Sequence, residues 1–387
     1  MIAKRFDKSI EEDEYYRFSK LTKEKNKIAK VSERKILDLG IGDPSTFPPF
    51  EVLEEIKKSM NLEESHGYSD NGIIDFRYKV ANHIGVDYKC INHTMGTKEA
   101  LCIIALMYIN KNDYLITLNP GYNVLSNMCK WLNGKVYNLA LKEENNYEVD
   151  FNIPKNILKK TKLMYLNYPN NPTGKIASKE LYIKAIELAK KYNFKIINDN
   201  AYGDLIYDKK DIVNFRDIEG FYNVGIELYS FSKGYNMTGY RIGYILSDEK
   251  TIRIFQNVKD NIDSGQYIPI QRGAMKALDS LKFLENNKNK YYRRQVRLHK
   301  LLSNFGFNYE LPKAGFFAYM KAPRYIDGVY MSSAYKCSMY LLRRYQINVI
   351  PYDEYGSYIR MSLTFKEDED TFFKELENRL KTMKIEF

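Results

Sequence analysis

Lys233 follows the apolar run ELYSF and precedes a Gly-Tyr turn. A lysine so placed is partly desolvated, its pKa falls, and the neutral amine can attack a carbonyl carbon to form a Schiff base. Asp199 stands at the end of another apolar run, FKIIND. A buried carboxylate needs a cation or several donors, and one that faces a pyridinium nitrogen keeps that ring protonated as an electron sink. The plain alternative is an Asp that caps a turn. Gly96 and Thr97 stand directly before a helix-patterned stretch. With Ser230, Ser232 and Arg241 they offer a phosphate cup of helix N-terminus, hydroxyls and guanidinium. Singly, Gly-Thr before a helix is only an N-cap signal. The ordered set is far more specific than its parts.

Elements that could gather these residues are visible in the pattern. TKEALCIIALMYI and KELYIKAIELAKKYN carry apolar residues at helical spacing. Between and after them lie short apolar runs, each followed by a polar residue of interest: Tyr122 after LITLNPG, Asn171 after LMYLNYPN, Asp199 and Tyr202 after FKIIN, Lys233 after ELYSF. Strands alternating with helices imply right-handed crossovers and a mainly parallel sheet. In such sheets ligands bind beyond the carboxyl ends of the strands, so these side chains are expected at one edge. The expected fold is α/β, with a large doubly wound, mainly parallel sheet and a smaller α+β domain. The first 35 residues read as a charged helical arm. The expected division is an N-terminal arm and small-domain segment over 1–43, a large domain over 44–280, and a small C-terminal domain over 281–387. The last part opens with the charged helix KFLENNKNKYYRRQVRLHKLLSN and continues with GFFAYMKA, YQINVIPY and SYIRMSLTF as strands.

Composition excludes several classes. The longest apolar stretch, LCIIALMYI, is far short of the ~20 residues that span a bilayer. The N-terminal MIAKRFDKSIEEDEYYRF has no apolar core of the kind a secretion signal needs. The four cysteines are scattered without a CxxC pair, and the four histidines lack close partners. No metal site and no disulfide framework is expected, and a reducing cytoplasm fits. The net charge of +11 comes from lysines and arginines interleaved with acids, so nucleic-acid binding is not expected.

The motifs NNPTG (170–174), DNAYGDL (199–205) and SFSKGYNMTGYRIGY (230–244) together resemble the fold-type I, pyridoxal 5'-phosphate-dependent aminotransferases of class I/II. The resemblance runs from LDLGIGDP to YIRMSLTF. It implies that Lys233 holds the cofactor as a Schiff base and then shuttles the substrate Cα proton. It implies that Asp199 pairs with the pyridinium nitrogen, that Asn171 and Tyr202 hydrogen-bond the ring hydroxyl oxygen, and that Tyr122 stacks on the ring. Gly96, Thr97, Lys98 (through its amide), Ser230, Ser232 and Arg241 would hold the phosphate. Arg360, in YIRMS, resembles the arginine that takes the substrate α-carboxylate in a bidentate pair, and Gly40 resembles the backbone contact beside it. Tyr68 resembles the tyrosine that reaches a neighbouring subunit's phosphate, although one residue fewer separates it from the next glycine. A homodimer with shared sites follows.

LGIGDP, MGTKEAL, NPGYNV and NIDSGQYIPIQRGA resemble the LL-diaminopimelate aminotransferase branch. No arginine lies between Gln256 and Gln271, where aspartate-specific members carry one, and Asn261, Ser264 and Gln266, in a segment expected to face the partner subunit's pocket, are expected at the far end of the substrate there. STFPPF and Asn123 depart from the branch. The expected reaction moves an amino group between an α-amino acid and a 2-oxo acid such as 2-oxoglutarate. Two alternatives stay open: another reaction of the same cofactor (sulfur β-elimination, decarboxylation or cyclisation), and a non-catalytic binding or regulatory protein.

Overall fold

The structure, a computed structural model, describes residues 14–44 and 46–387. The described part of the N-terminal arm is one helix, Glu14–Val31; the start of the expected arm lies outside the described residues.

Seven strands form the central sheet: β1 (Ile91–Thr94), β2 (Tyr114–Asn119), β3 (Lys135–Ala140), β4 (Thr161–Leu166), β5 (Lys195–Asn200), β6 (Gly225–Ser230) and β7 (Gly243–Leu246). Their order is β1-β7-β6-β5-β4-β2-β3. The five strands from β6 to β3 are mutually parallel, whereas β7 runs antiparallel to both β1 and β6. β3 (KVYNLA) was not anticipated as a strand: its burial is patchy and two of its six residues are exposed. Strands covered on both faces read as continuous apolar runs, and alternate residues serve opposite layers. Met164, Leu166 and Ile196 join one core layer, while Leu163, Tyr165, Ile197 and Leu228 join the other. Helix α1 (Thr97–Tyr108) contributes Leu101, Ile104 and Ala105 to that second layer, all essentially inaccessible to water. Burying a Leu or Ile side chain stabilises by ~1.5–3 kcal/mol, so this packing sets α1 firmly against the sheet and brings its N-terminus to the strand ends.

A second core gathers Phe316, Phe317, Ile359, Met361 and Leu376. Its sheet is antiparallel, in the order β9 (Ile350–Tyr352), β10 (Tyr358–Ser362), β8 (Phe317–Lys321). Leu37–Asp38 pairs in parallel with Ile347–Asn348, which stitches the N-terminal segment into this part of the molecule. The long helix Leu281–Ser303 spans both cores: Phe283 and Leu284 pack on the first, Leu298 and Leu302 on the second.

Candidate active site

At the carboxyl ends of the central strands lies a cleft of about 570 Å³. Thr97, Lys98, Tyr122, Asn171, Asp199, Tyr202, Ser230, Ser232, Lys233 and Arg241 all line it. Residues from six separate parts of the sequence thus converge, because the parallel strands deliver their ends to one edge and the antiparallel β7 begins there.

Lys233 sits in the short helix after β6, and its Nζ donates to the Gly42 carbonyl at 2.7 Å. Burial lowers its pKa to about 8, with the Asp43 charge opposing the shift. The amine is therefore a nucleophile near neutrality, as an exposed lysine is not. Asp199, at the end of β5, is buried. Its Oδ2 accepts from the Tyr165 hydroxyl at 2.9 Å, and its Oδ1 has no hydrogen-bond partner. Burial raises its pKa to about 6, partly offset by the Tyr165 bond and by the nearby Ala201 amide and Thr97. Tyr202 is buried edge-on against Phe316 and Phe317.

The cleft is cationic beside α1. Arg241 occupies a left-handed turn (φ 55°) with an exposed side chain. Its Nη1 donates to the Thr238 carbonyl at 2.9 Å and its Nη2 reaches the Met95 carbonyl at 3.4 Å. Gly96 has φ +78°, and a Cβ there would lie 2.5 Å from Arg241 Nη2. Only glycine satisfies both constraints. Ser230 and Ser232 are buried, with the Ser230 hydroxyl accepting the Ser232 amide at 3.2 Å.

Arg360, on β10, is 9 % exposed. Its Nη2 donates to the Gly40 carbonyl at 2.8 Å, and its Nη1 to Asn171 Oδ1 at 2.9 Å. The guanidinium carbon lies 4.1 Å above the centre of the Phe317 ring, and Nε is buried without a partner. A planar cation with a spare inward donor is suited to a carboxylate.

The family profile for aminotransferase class I and II matches residues 34–372. The chain belongs to the class I and II aminotransferases. It is 35% identical to the LL-diaminopimelate aminotransferase of Methanocaldococcus jannaschii, covering 100% of this chain and 96% of that one. The LL-diaminopimelate aminotransferase of Methanococcus maripaludis is 34% identical over 97% and 95% of the two chains. Among solved structures, substrate-bound BacF of Bacillus subtilis superposes with a TM-score of 0.91 at 27% identity, covering 100% and 98%. The aminotransferase depends on pyridoxal 5'-phosphate. Its cleft fits that group on two observations: the unpartnered Oδ1 of Asp199 is a buried acceptor suited to a ring N–H, and the bare Gly96 lets the Arg241 guanidinium come against the N-terminus of α1, where a phosphate would be held.

Four further expected residues lie outside this chain's own cleft. Tyr68 is 94% exposed and does not line this chain's cleft. Asn261 is exposed and caps a helix by donating to the Asn257 carbonyl at 2.8 Å, and Ser264 is exposed. Gln266 corrects an expectation. Its side chain is buried and fully engaged within the chain, so it offers nothing to the far end of a substrate.

Other contributors were passed over in the sequence. Asp43 lines the cleft. Asn167 donates to the Asp199 carbonyl at 2.9 Å and accepts the Asn171 amide at 3.1 Å. Tyr165 holds Asp199 directly. A usable signal existed: strand alternation puts Tyr165 on the face shared with Leu163, and Asn167 directly follows the run LMYL, as Asp199 follows KIIN.

Proposed function

We propose that this aminotransferase takes an α-amino acid with a free α-carboxylate and a polar far end, LL-diaminopimelate foremost, and passes its amino group to a 2-oxo acid such as 2-oxoglutarate. The observation that carries the reading is Arg360, a buried guanidinium with an unpartnered Nε beside Asn171 and Gly40. The named relatives in the two archaea support the choice of substrate. Bound pyridoxal phosphate supplies the aldehyde that captures an amino group and the ring that accepts the electrons released at Cα.

The chain's own residues then divide the work. Lys233 would hold the cofactor covalently, and its amine, once free, would take the proton from the substrate Cα. The Gly42 carbonyl orients that amine. Asp199 Oδ1 holds the proton on the ring nitrogen, and Tyr165 keeps the carboxylate charged by donating to Oδ2. Arg360 occupies the carbonyl side of the Asn171 amide, so the Nδ2 donor serves the ring oxygen together with Tyr202. Tyr122, which lines the cleft, would pack against the ring. Gly96, Thr97, the Lys98 amide, Ser230, Ser232 and Arg241 take the phosphate. Tyr68 crosses to the partner in a cytoplasmic homodimer, which suits its 94% exposure in the single chain. The large unit over 44–280 carries the cofactor, and the units over 1–43 and 281–387 bring Gly40 and Arg360 to it.

A panel of amino donors with 2-oxoglutarate tests the reading. Diaminopimelate is expected to outpace aspartate, and glutamine-like and lysine-like donors should fall between them. Aspartate as the best donor would overturn the substrate assignment.

A further inference from the structure

Beneath the Arg241 turn lies a buried polar pair that the reaction does not use. His93, on β1, is inaccessible to solvent, and its Nε2 lies 2.7 Å from Gln266 Oε1. Gln266 Nε2 donates to two consecutive carbonyls, Tyr240 at 2.8 Å and Arg241 at 2.7 Å. The amide orientation fixes the proton: Oε1 can only accept, so His93 donates from Nε2 and leaves Nδ1 unprotonated. Burial keeps the ring neutral, with its pKa lowered to about 4, so this donor persists across the physiological range. The Gln266 main chain is pinned too, its carbonyl accepting Ser69 Oγ at 2.7 Å and Gln271 Nε2 at 2.8 Å.

This arrangement answers a geometric need. Arg241 adopts φ 55°, which is unfavourable for a residue with a Cβ, and its long side chain is exposed to water. Such a turn wanders unless something holds its backbone. Both ends of the residue are referenced to β1 and the loop that follows it. The guanidinium is set by the Met95 carbonyl and the bare Gly96, and the backbone by His93 through Gln266. We propose that Gln266, braced by His93, is the positioning residue that registers Arg241 against the N-terminus of α1 and thereby sets the affinity of the site for the cofactor's phosphate. This rests on the reading of Arg241 as a phosphate ligand.

The test compares binding of pyridoxal 5'-phosphate and of pyridoxal to the full-length chain stripped of cofactor, read by absorbance. Gln266→Met removes both donors at similar volume, and Gln266→Glu keeps an acceptor for His93 but loses the donors. Either variant should bind pyridoxal 5'-phosphate about tenfold more weakly, with pyridoxal unchanged and no further loss when combined with Arg241→Ala. Equal weakening of both compounds, or of neither, overturns the proposal, as does failure of both variants to fold, since the pair would then hold the fold and not the arginine. If Arg241→Ala alone shows no phosphate-specific loss, the underlying reading of Arg241 fails instead.

Discussion

Lys233 and Arg360 are tied to carbonyls two residues apart: Lys233 Nζ donates to Gly42, and Arg360 Nη2 to Gly40. The carbonyl between them, on Ile41, accepts from Thr364 Oγ1 at 2.7 Å. One short segment therefore gauges the distance between the amine proposed to handle Cα and the cation proposed to take the carboxylate.

Gly42→Ala should disturb that gauge. A Cβ there would lie 2.6 Å from the Phe317 ring, on which Arg360 rests. Steady-state kinetics should show KM for every amino donor rising about tenfold, the scale of one displaced charged contact, with the thermal midpoint little changed.

Lys233 sets a pH signature in the cofactor-free chain. The neutral amine is the nucleophile, and its pKa is lowered to about 8 by burial. The rate of cofactor capture should climb with pH and level off above about 8, well before an exposed lysine would. Lys233→Ala should bind the cofactor without the covalent link, and stopped-flow traces with a good donor should show no proton transfer.

Asp199→Asn should retain the fold and lose roughly 3–4 kcal/mol of transition-state stabilisation, as for other preorganised polar groups. Tyr165→Phe is subtler. The hydroxyl favours the charged carboxylate, so its loss raises the Asp199 pKa and moves the acid limb of the pH–rate profile to higher pH. The basic limb should stay put.

Arg360→Lys keeps the charge and loses the paired donors. kcat/KM should fall for all donors alike, by ~1.5–3 kcal/mol for a charged hydrogen-bonded contact. A loss confined to one donor would place Arg360 at the far end of the substrate.

Tyr68 can be assigned by mixing subunits. Lys233→Ala and Tyr68→Ala chains, each impaired alone, should regain part of the activity when refolded together, because one shared site in the mixed dimer keeps both groups. A fully active monomer by light scattering would contradict the crossing.

Much of the candidate site was legible because parallel strands lead into residues that line the cleft: Asn171, Asp199 and Lys233 each follow an apolar run in the chain itself. The antiparallel run of β7 was less so, since direction is decided by packing between β1 and β6 and leaves no mark on the four residues GYIL. Tyr165 was hidden because a tyrosine within an apolar strand looks like core, and its partner lies on a neighbouring strand. Gln266 misled for the opposite reason. A glutamine in a polar loop looks available, but its partners are main-chain carbonyls about 25 residues earlier and a histidine in β1.

The parallel pairing of Leu37–Asp38 with Ile347–Asn348 has a consequence for the order in which the molecule can assemble on the ribosome. All seven strands of the central sheet lie between Ile91 and Leu246, so they can pair while the rest is still being made. The early segment that grips Lys233 and Arg360 must wait for a partner about three hundred residues downstream, roughly 15–60 s at ordinary rates of synthesis. During that interval the strand ends stand ready but Arg360, the residue proposed to bind the carboxylate, does not yet exist. A nascent chain halted before Tyr358 would thus be expected to own a cofactor cradle and no means of holding an amino acid in it.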